Sequence, residues 1–64
     1  MTENETKICK AYAKSIGTTF KTMKENFEIA VLKEAVSHFQ GKRSNADEIN
    51  FIASQITTEE MSEE

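Results

Sequence analysis

The chain contains no proline and only two glycines among its 64 residues, so almost nothing in it interrupts a helix. No run of alternating apolar and polar residues is long enough to predict a strand. The two glycines, Gly17 and Gly41, fall where a helix would end in a left-handed residue. These features predict an all-α fold, and a chain of this length forms one small domain.

Apolar residues recur at spacings of three and four in three segments, which predict three helices. The first helix is expected over residues 5–16, and the second from residue 18 or 19 to residue 40. The third is expected to begin at Ser44, an N-cap residue, with Asp47 in a position that resembles a capping box. Its core-facing stripe comprises Ile49, Ile52, Ala53 and Ile56.

The helical pattern ends at residue 56, so we expect a single helical domain over residues 1–56. Residues 57–64 are then an acidic flexible tail. The large apolar residues are few, and their burial offsets the entropy cost of ordering the chain only narrowly. Because Cys9 is the only cysteine, no disulfide within the chain can help. Self-association would stabilise so small a domain, and we therefore predict a homodimeric helical bundle.

The middle segment carries two apolar stripes. Its first half places Phe20, Met23, Phe27, Ala30 and Val31 on one stripe, and its second half places Val31, Leu32, Ala35, Val36 and Phe39 on another. We favour one long central helix, because neither glycine nor proline marks a break. The alternative is a bend near residues 26–28. The second stripe exceeds what two short flanking helices can cover, so it predicts a partner or dimer interface formed by Ile29, Leu32, Val36 and Phe39.

A local motif surrounds Gly17. Ala13 precedes this glycine by four residues, Met23 follows it by six, and the apolar Ile16 stands directly before it. This pattern resembles the helix-turn-helix of phage repressors and Cro-like proteins, over less than a third of the chain. The alternative is a helix-ending glycine followed by a threonine N-cap, which any helical hairpin needs.

The resemblance implies a DNA-binding transcriptional regulator whose second helix faces the major groove while lysines of the first helix meet phosphates. The implied nucleic-acid-binding residues are Lys7, Lys10, Lys14, Lys21, Thr22 and Lys24. Alternatively, these lysines form a solvated face that meets acidic residues of the same chain or of a second copy. The formal net charge of −3 and pI of about 5.1 favour this alternative, because dedicated DNA-binding proteins are usually basic overall.

Charge is divided unevenly along the chain. Residues 1–43 hold all eight lysines and arginines against five carboxylates, whereas residues 44–64 hold six carboxylates and no cation. Such a division can join two copies of a molecule. It can also offer a basic surface to a polyanion and an acidic surface to a basic protein.

Catalysis, metal binding and membrane insertion are not predicted. Glu34 and His38 share a helix face and could join Cys9 as metal ligands, but the sequence offers no fourth ligand. We therefore predict no metal and no cofactor. Without a glycine-rich phosphate loop or a set of serine, histidine and aspartate that can be placed together, we expect no enzyme. No apolar run is long enough to span a membrane and no signal peptide is present, which predicts a cytoplasmic protein without a membrane partner.

These expectations describe a small non-enzymatic intracellular regulator, an inhibitor or adaptor. It would bind a protein partner through an apolar helix face, with acids of the third segment at the rim. Its size and acidity fit the regulators that phages, plasmids and bacterial regulatory loci encode. A helix-turn-helix DNA-binding regulator and a self-assembling structural subunit remain the alternatives.

Overall fold

The computed structural model describes residues 2–26, 28–42 and 45–62. Within these ranges, the side chains of Lys24, Asn26, Glu28 and Ile29 lie outside the description. The elements are α1 (Glu3–Ser15), α2 (Phe20–Asn26), α3 (Glu28–His38), α4 (Ala46–Ser54) and a 3₁₀ helix (Thr58–Glu60). The predicted all-α class is confirmed for the described residues, but they form four α-helices instead of the three expected.

Helices α2 and α3 together occupy the segment that was predicted as one central helix. Phe27, which separates them, lies outside the described residues, as does the bend that the sequence analysis weighed around it. Helix α2 begins after Thr19, whose Oγ1 accepts a hydrogen bond from the Thr22 backbone N–H at 3.2 Å. This hydroxyl acts as the predicted threonine N-cap.

Helix α1 lies at the centre of the molecule, packing against α2, α3, α4 and the 3₁₀ helix. Its residues Ile8, Cys9, Ala11 and Ala13 are buried. At 100° per residue these positions cover more than half of the helix circumference, so neighbours approach α1 from several directions. The buried core comprises Ile8, Cys9, Ala11, Ala13, Phe20, Met23, Val31, Ala35, Val36, Ile49, Ile52, Ala53 and Ile56.

Side chains cap the first turns of α1 and α4. At α1, Thr2 Oγ1 accepts from the Glu5 backbone N–H at 3.2 Å, and Glu5 Oε1 accepts from the Thr2 backbone N–H at 2.8 Å. This reciprocal capping box starts the helix two residues earlier than the apolar pattern suggested. At α4, Asn45 Oδ1 accepts from the Glu48 backbone N–H at 2.9 Å, which makes Asn45 the N-cap. The predicted cap, Ser44, lies outside the described residues.

Helix α1 ends in a Schellman motif at Gly17. The glycine has φ of +81°, and its N–H donates to the Lys14 carbonyl at 3.2 Å. The Thr18 N–H donates to the Ala13 carbonyl at 2.9 Å, which completes the pair of bonds that defines the motif. The predicted left-handed glycine is therefore confirmed at this position.

Helix α3 ends in a second Schellman motif, but its left-handed residue is Gln40, with φ of +64°. The Gln40 N–H donates to the Ser37 carbonyl at 2.9 Å, and the Gly41 N–H donates to the Val36 carbonyl at 2.8 Å. The prediction of a left-handed Gly41 is therefore wrong. Glycine is needed there for space, because a Cβ atom would lie 2.5 Å from Val36 Cγ1 and 3.0 Å from Ile52 Cδ1.

The chain after α4 folds back onto α1. Met61 packs against the core, and the Ser62 N–H donates to the Lys10 carbonyl at 3.1 Å. Ser62 Oγ accepts from the Phe20 N–H at 3.3 Å, which links this segment to the start of α2. Residues 57–64 were predicted to form a flexible tail, and the structure places Met61 and Ser62 of this segment in contact with the domain. Glu63 and Glu64 lie outside the described residues.

Candidate protein-binding groove

The four apolar residues predicted to contact a partner do not form one exposed stripe. Val36 is only 2 % exposed and belongs to the protein's own core, so it is not a surface anchor in this fold. Helix α3, which carries Val36, packs on α1, and Gly41 lies close to both Val36 and Ile52. Leu32 and Phe39 are partly buried against the core, and the side chain of Ile29 lies outside the description.

A groove opens between the end of α3 and α4, with a volume of about 440 Å³. Its lining residues are Phe39, Gln40, Glu48, Phe51, Ile52, Gln55, Ile56 and Glu60. Phe51 is 61 % exposed, whereas Ile52 and Ile56 are each 6 % exposed. The groove thus combines a half-buried and an exposed aromatic ring with buried isoleucines, and of the predicted partner residues it contains Phe39.

Phe51 points away from the core because it lies off the apolar stripe of α4. The predicted stripe of Ile49, Ile52, Ala53 and Ile56 is buried, as expected. At 100° per residue, Phe51 is turned about 100° from Ile52 and about 200° from Ile49. Phe51 was not predicted as a surface binding residue, although an aromatic residue outside the buried stripe was the signal that could have revealed it.

The rim of the groove is acidic. Among the described residues that line it, the charged ones are Glu48 and Glu60. Thr57 Oγ1 donates to Glu60 Oε1 at 3.2 Å, which holds this carboxylate beside the 3₁₀ helix. Glu48 belongs to α4, whereas Glu60 belongs to the 3₁₀ helix that follows it.

The lysines predicted to contact nucleic acid lie mainly on α1. Lys7 and Lys10 are partly buried, Lys14 and Lys21 are exposed, and the side chain of Lys24 lies outside the description. Lys14 Nζ donates to the Glu59 carbonyl. Met61 lies beside Lys7 and Lys10 in a shallow depression. The C-terminal segment thus occupies part of this face, through the Glu59 backbone carbonyl and the Met61 side chain.

Thr22, the remaining residue of the predicted nucleic-acid face, is exposed on α2. Its backbone N–H bonds to Thr19 Oγ1, and the two hydroxyls lie 2.9 Å apart. Thr22 therefore takes part in the capping of α2, a helix of seven residues.

A small polar cluster joins the end of α1 to the end of α3. Ser15 Oγ donates to the Tyr12 carbonyl at 2.8 Å and lies 3.2 Å from His38 Nε2. The rings of Tyr12 and His38 are 5.1 Å apart. This arrangement links the end of α1 to the end of α3.

The three residues considered as metal ligands are not brought together. Cys9 is buried in the core, whereas Glu34 and His38 are exposed on α3. Throughout residues 2–26, 28–42 and 45–62, no three histidine, cysteine, aspartate or glutamate side chains are close enough to hold a metal ion. In the same residues, no helix has the length and hydropathy that crossing a bilayer requires.

Comparison with known proteins adds no relative. No family model, no curated protein and no solved structure matches this chain.

Proposed function

We propose that this protein is a small non-enzymatic regulator, an inhibitor or adaptor, that binds a protein partner in the groove between α3 and α4. The observation that supports this proposal is the 61 % exposure of Phe51 beside a groove floored by buried isoleucines. Exposed aromatic rings next to apolar clefts are well suited to serve as binding hot spots, because they bury a large apolar area on association.

The proposed anchors differ from those expected from the sequence alone. Phe39 is retained because it lines the groove, and Phe51 replaces Val36, which is enclosed in the core. Leu32 is partly buried and lies outside the groove lining, so it is not proposed as an anchor. Ile52 and Ile56 form the apolar floor on which a partner side chain would rest.

Affinity capture with two matched variants tests this function. We expect a partner captured by the wild-type protein to be lost with Phe51→Ser and retained with Ile16→Ser. Ile16, at 52 % exposure, is the other large apolar residue exposed in the described part of the chain. Circular dichroism should confirm that both variants are folded. Equal capture of the same partner by Phe51→Ser would contradict the proposed site.

A second copy of the chain is a different occupant of the same groove, and it would produce the homodimer predicted from the sequence. Sedimentation velocity distinguishes this case. A wild-type dimer that dissociates on Phe51→Ser would assign the groove to self-association and favour the structural-subunit alternative. If the wild-type protein is a monomer at the highest soluble concentration, self-association through the groove is excluded.

DNA binding is a second candidate function, favoured by the turn at Gly17. The left-handed glycine, with Ala13 and Met23 both buried, fits the helix-turn-helix resemblance. Lys14 would then contact phosphates while Lys21 faces the major groove, and binding to duplex DNA should weaken steeply as salt is raised. Titration at two salt concentrations provides the test, and a lack of binding at low salt would exclude this candidate.

A further inference from the structure

Charge is the first property of the groove that identifies its occupant. The 21 residues from Ser44 to Glu64, which include all of α4, carry six carboxylates and no lysine or arginine. Glu48 and Glu60 line the groove itself. Lys42 is a described cation close in sequence to residues that line the groove, but it is not part of the lining. An acidic segment on the partner would meet like charge here, whereas a basic one would meet opposite charge.

Size is the second property. A volume of about 440 Å³ lies at the lower end of the range for binding pockets, roughly 300–1,000 Å³. It accommodates one or two bulky apolar side chains and not a whole structural element. The backbone of a partner would then lie across the mouth of the groove, with its apolar side chains pointing inward.

Secondary structure is the third property. The described residues contain helices and connecting segments without a strand, so they offer no sheet edge to which a peptide could add as another strand. Binding must then rest on side chains. A helix suits this, because residues at i, i+3 and i+4 share one face and can enter a groove together.

We propose that the groove binds a cationic amphipathic helix of a partner protein, with its bulky apolar residues between Phe39 and Phe51 and its lysines or arginines beside Glu48 and Glu60. This inference rests on the proposed function, and it specifies the chemical class of the partner.

Two synthetic helical peptides of equal length test the proposal. Both carry the same leucine and phenylalanine anchors, with lysine at the remaining positions of one and glutamate at those of the other. We expect the lysine peptide to bind the wild-type protein at least about tenfold more tightly, and to lose affinity as salt is raised. Phe51→Ser should weaken its binding by about tenfold or more.

A pair of charge variants separates recognition at the rim from general attraction to an acidic protein. The double variant Glu48→Gln/Glu60→Gln removes two charges at the groove. The double variant Glu25→Gln/Glu34→Gln removes two exposed charges elsewhere and has the same net charge. The first should weaken binding of the lysine peptide more than the second. If the two double variants weaken binding of the lysine peptide equally, and this binding does not depend on Phe51, the proposal is overturned.

Two further outcomes distinguish this inference from the function on which it rests. If both peptides bind equally and both depend on Phe51, the cationic class is wrong and docking in the groove stands. If neither peptide binds, the cationic-helix proposal is overturned. Whether the groove binds a protein partner at all is then decided by the affinity capture described above. Loss of the partner with Phe51→Ser supports binding in the groove, and retention contradicts it.

Discussion

Helices α1 and α4 both carry isoleucines in the core, yet their surroundings differ. Neighbours cover α1 over more than half of its circumference, and Ile8 and Cys9 are completely buried. Helix α4 buries one stripe and leaves Phe51 in solvent. The difference indicates that α1 is the structural centre of the fold, whereas α4 retains an apolar surface with which the protein can bind something else.

Side-chain size explains part of this contrast. Along α1 the small residues Cys9, Ala11 and Ala13 let neighbouring helices and the C-terminal segment approach on several sides. Helix α4 is followed by the 3₁₀ helix, and this part of the chain crosses to α1 without covering Phe51. How completely each helix is buried therefore depends more on the packing of the whole chain than on the hydropathy of the helix.

The largest expected effect tests whether enclosure governs stability. Ile8→Ala should lower the free energy of unfolding by about 2–5 kcal/mol, because it removes a fully buried side chain and leaves a cavity. Phe51→Ala removes a larger side chain, but an exposed one, and should cost about 0.5 kcal/mol. Urea unfolding followed by circular dichroism measures both. Comparable losses would show that the two helices contribute alike.

An intermediate effect is expected at the two glycines. Gly41→Ala should cost about 1–3 kcal/mol, because the added methyl group would overlap Val36 and press on Ile52. A Cβ atom added at Gly17 would have no atom within 4 Å. Gly17→Ala should therefore lower the free energy of unfolding by about 1 kcal/mol, because of the left-handed backbone alone. Thermal unfolding of both variants gives the order, and a larger loss at Gly17 would contradict the packing argument between α3 and α4.

The smallest expected effect concerns pH at the start of α1. The pKa of Glu5 is lowered because the Thr2 backbone N–H, and to a lesser degree its side chain, hydrogen-bond the carboxylate. The stability that this pairing adds is present above the pKa of the unfolded carboxyl group. It is lost as pH falls through the lowered folded value.

An NMR titration of Glu5 should show this lowered pKa. In Glu5→Gln, the corresponding acid-linked loss of stability should disappear. A Glu5 pKa at the ordinary value for glutamate would contradict the capping box.

Local patterns in the sequence predicted the parts of the fold that local physics determines. The spacing of Ile49, Ile52 and Ile56 identified the buried face of α4, and all three side chains are in the core. Gly17 was identified because few other residues adopt a left-handed conformation readily. In each case the determining interactions lie within a few residues of the signal.

The groove could not be predicted in the same way, because it depends on contacts between distant segments. Val36 was expected at the surface, but it lies in the core, where α3 packs on α1 and Gly41 lies close to Val36 and Ile52. Met61 lies in a segment without a helical pattern, and its contact with the core depends on the path of the chain back to α1. Phe39 was identified as a binding residue without Phe51, with which it lines the groove.

The complete burial of Cys9, the one cysteine in the sequence, provides a built-in reporter of how often the fold opens. A thiol-specific reagent can reach its sulfur only during an opening event, so the labelling rate reflects the population of opened molecules. If a bound ligand lowers the population of opened molecules, it will slow this reaction in proportion to its occupancy. Modification kinetics therefore rank candidate ligands without introducing a mutation.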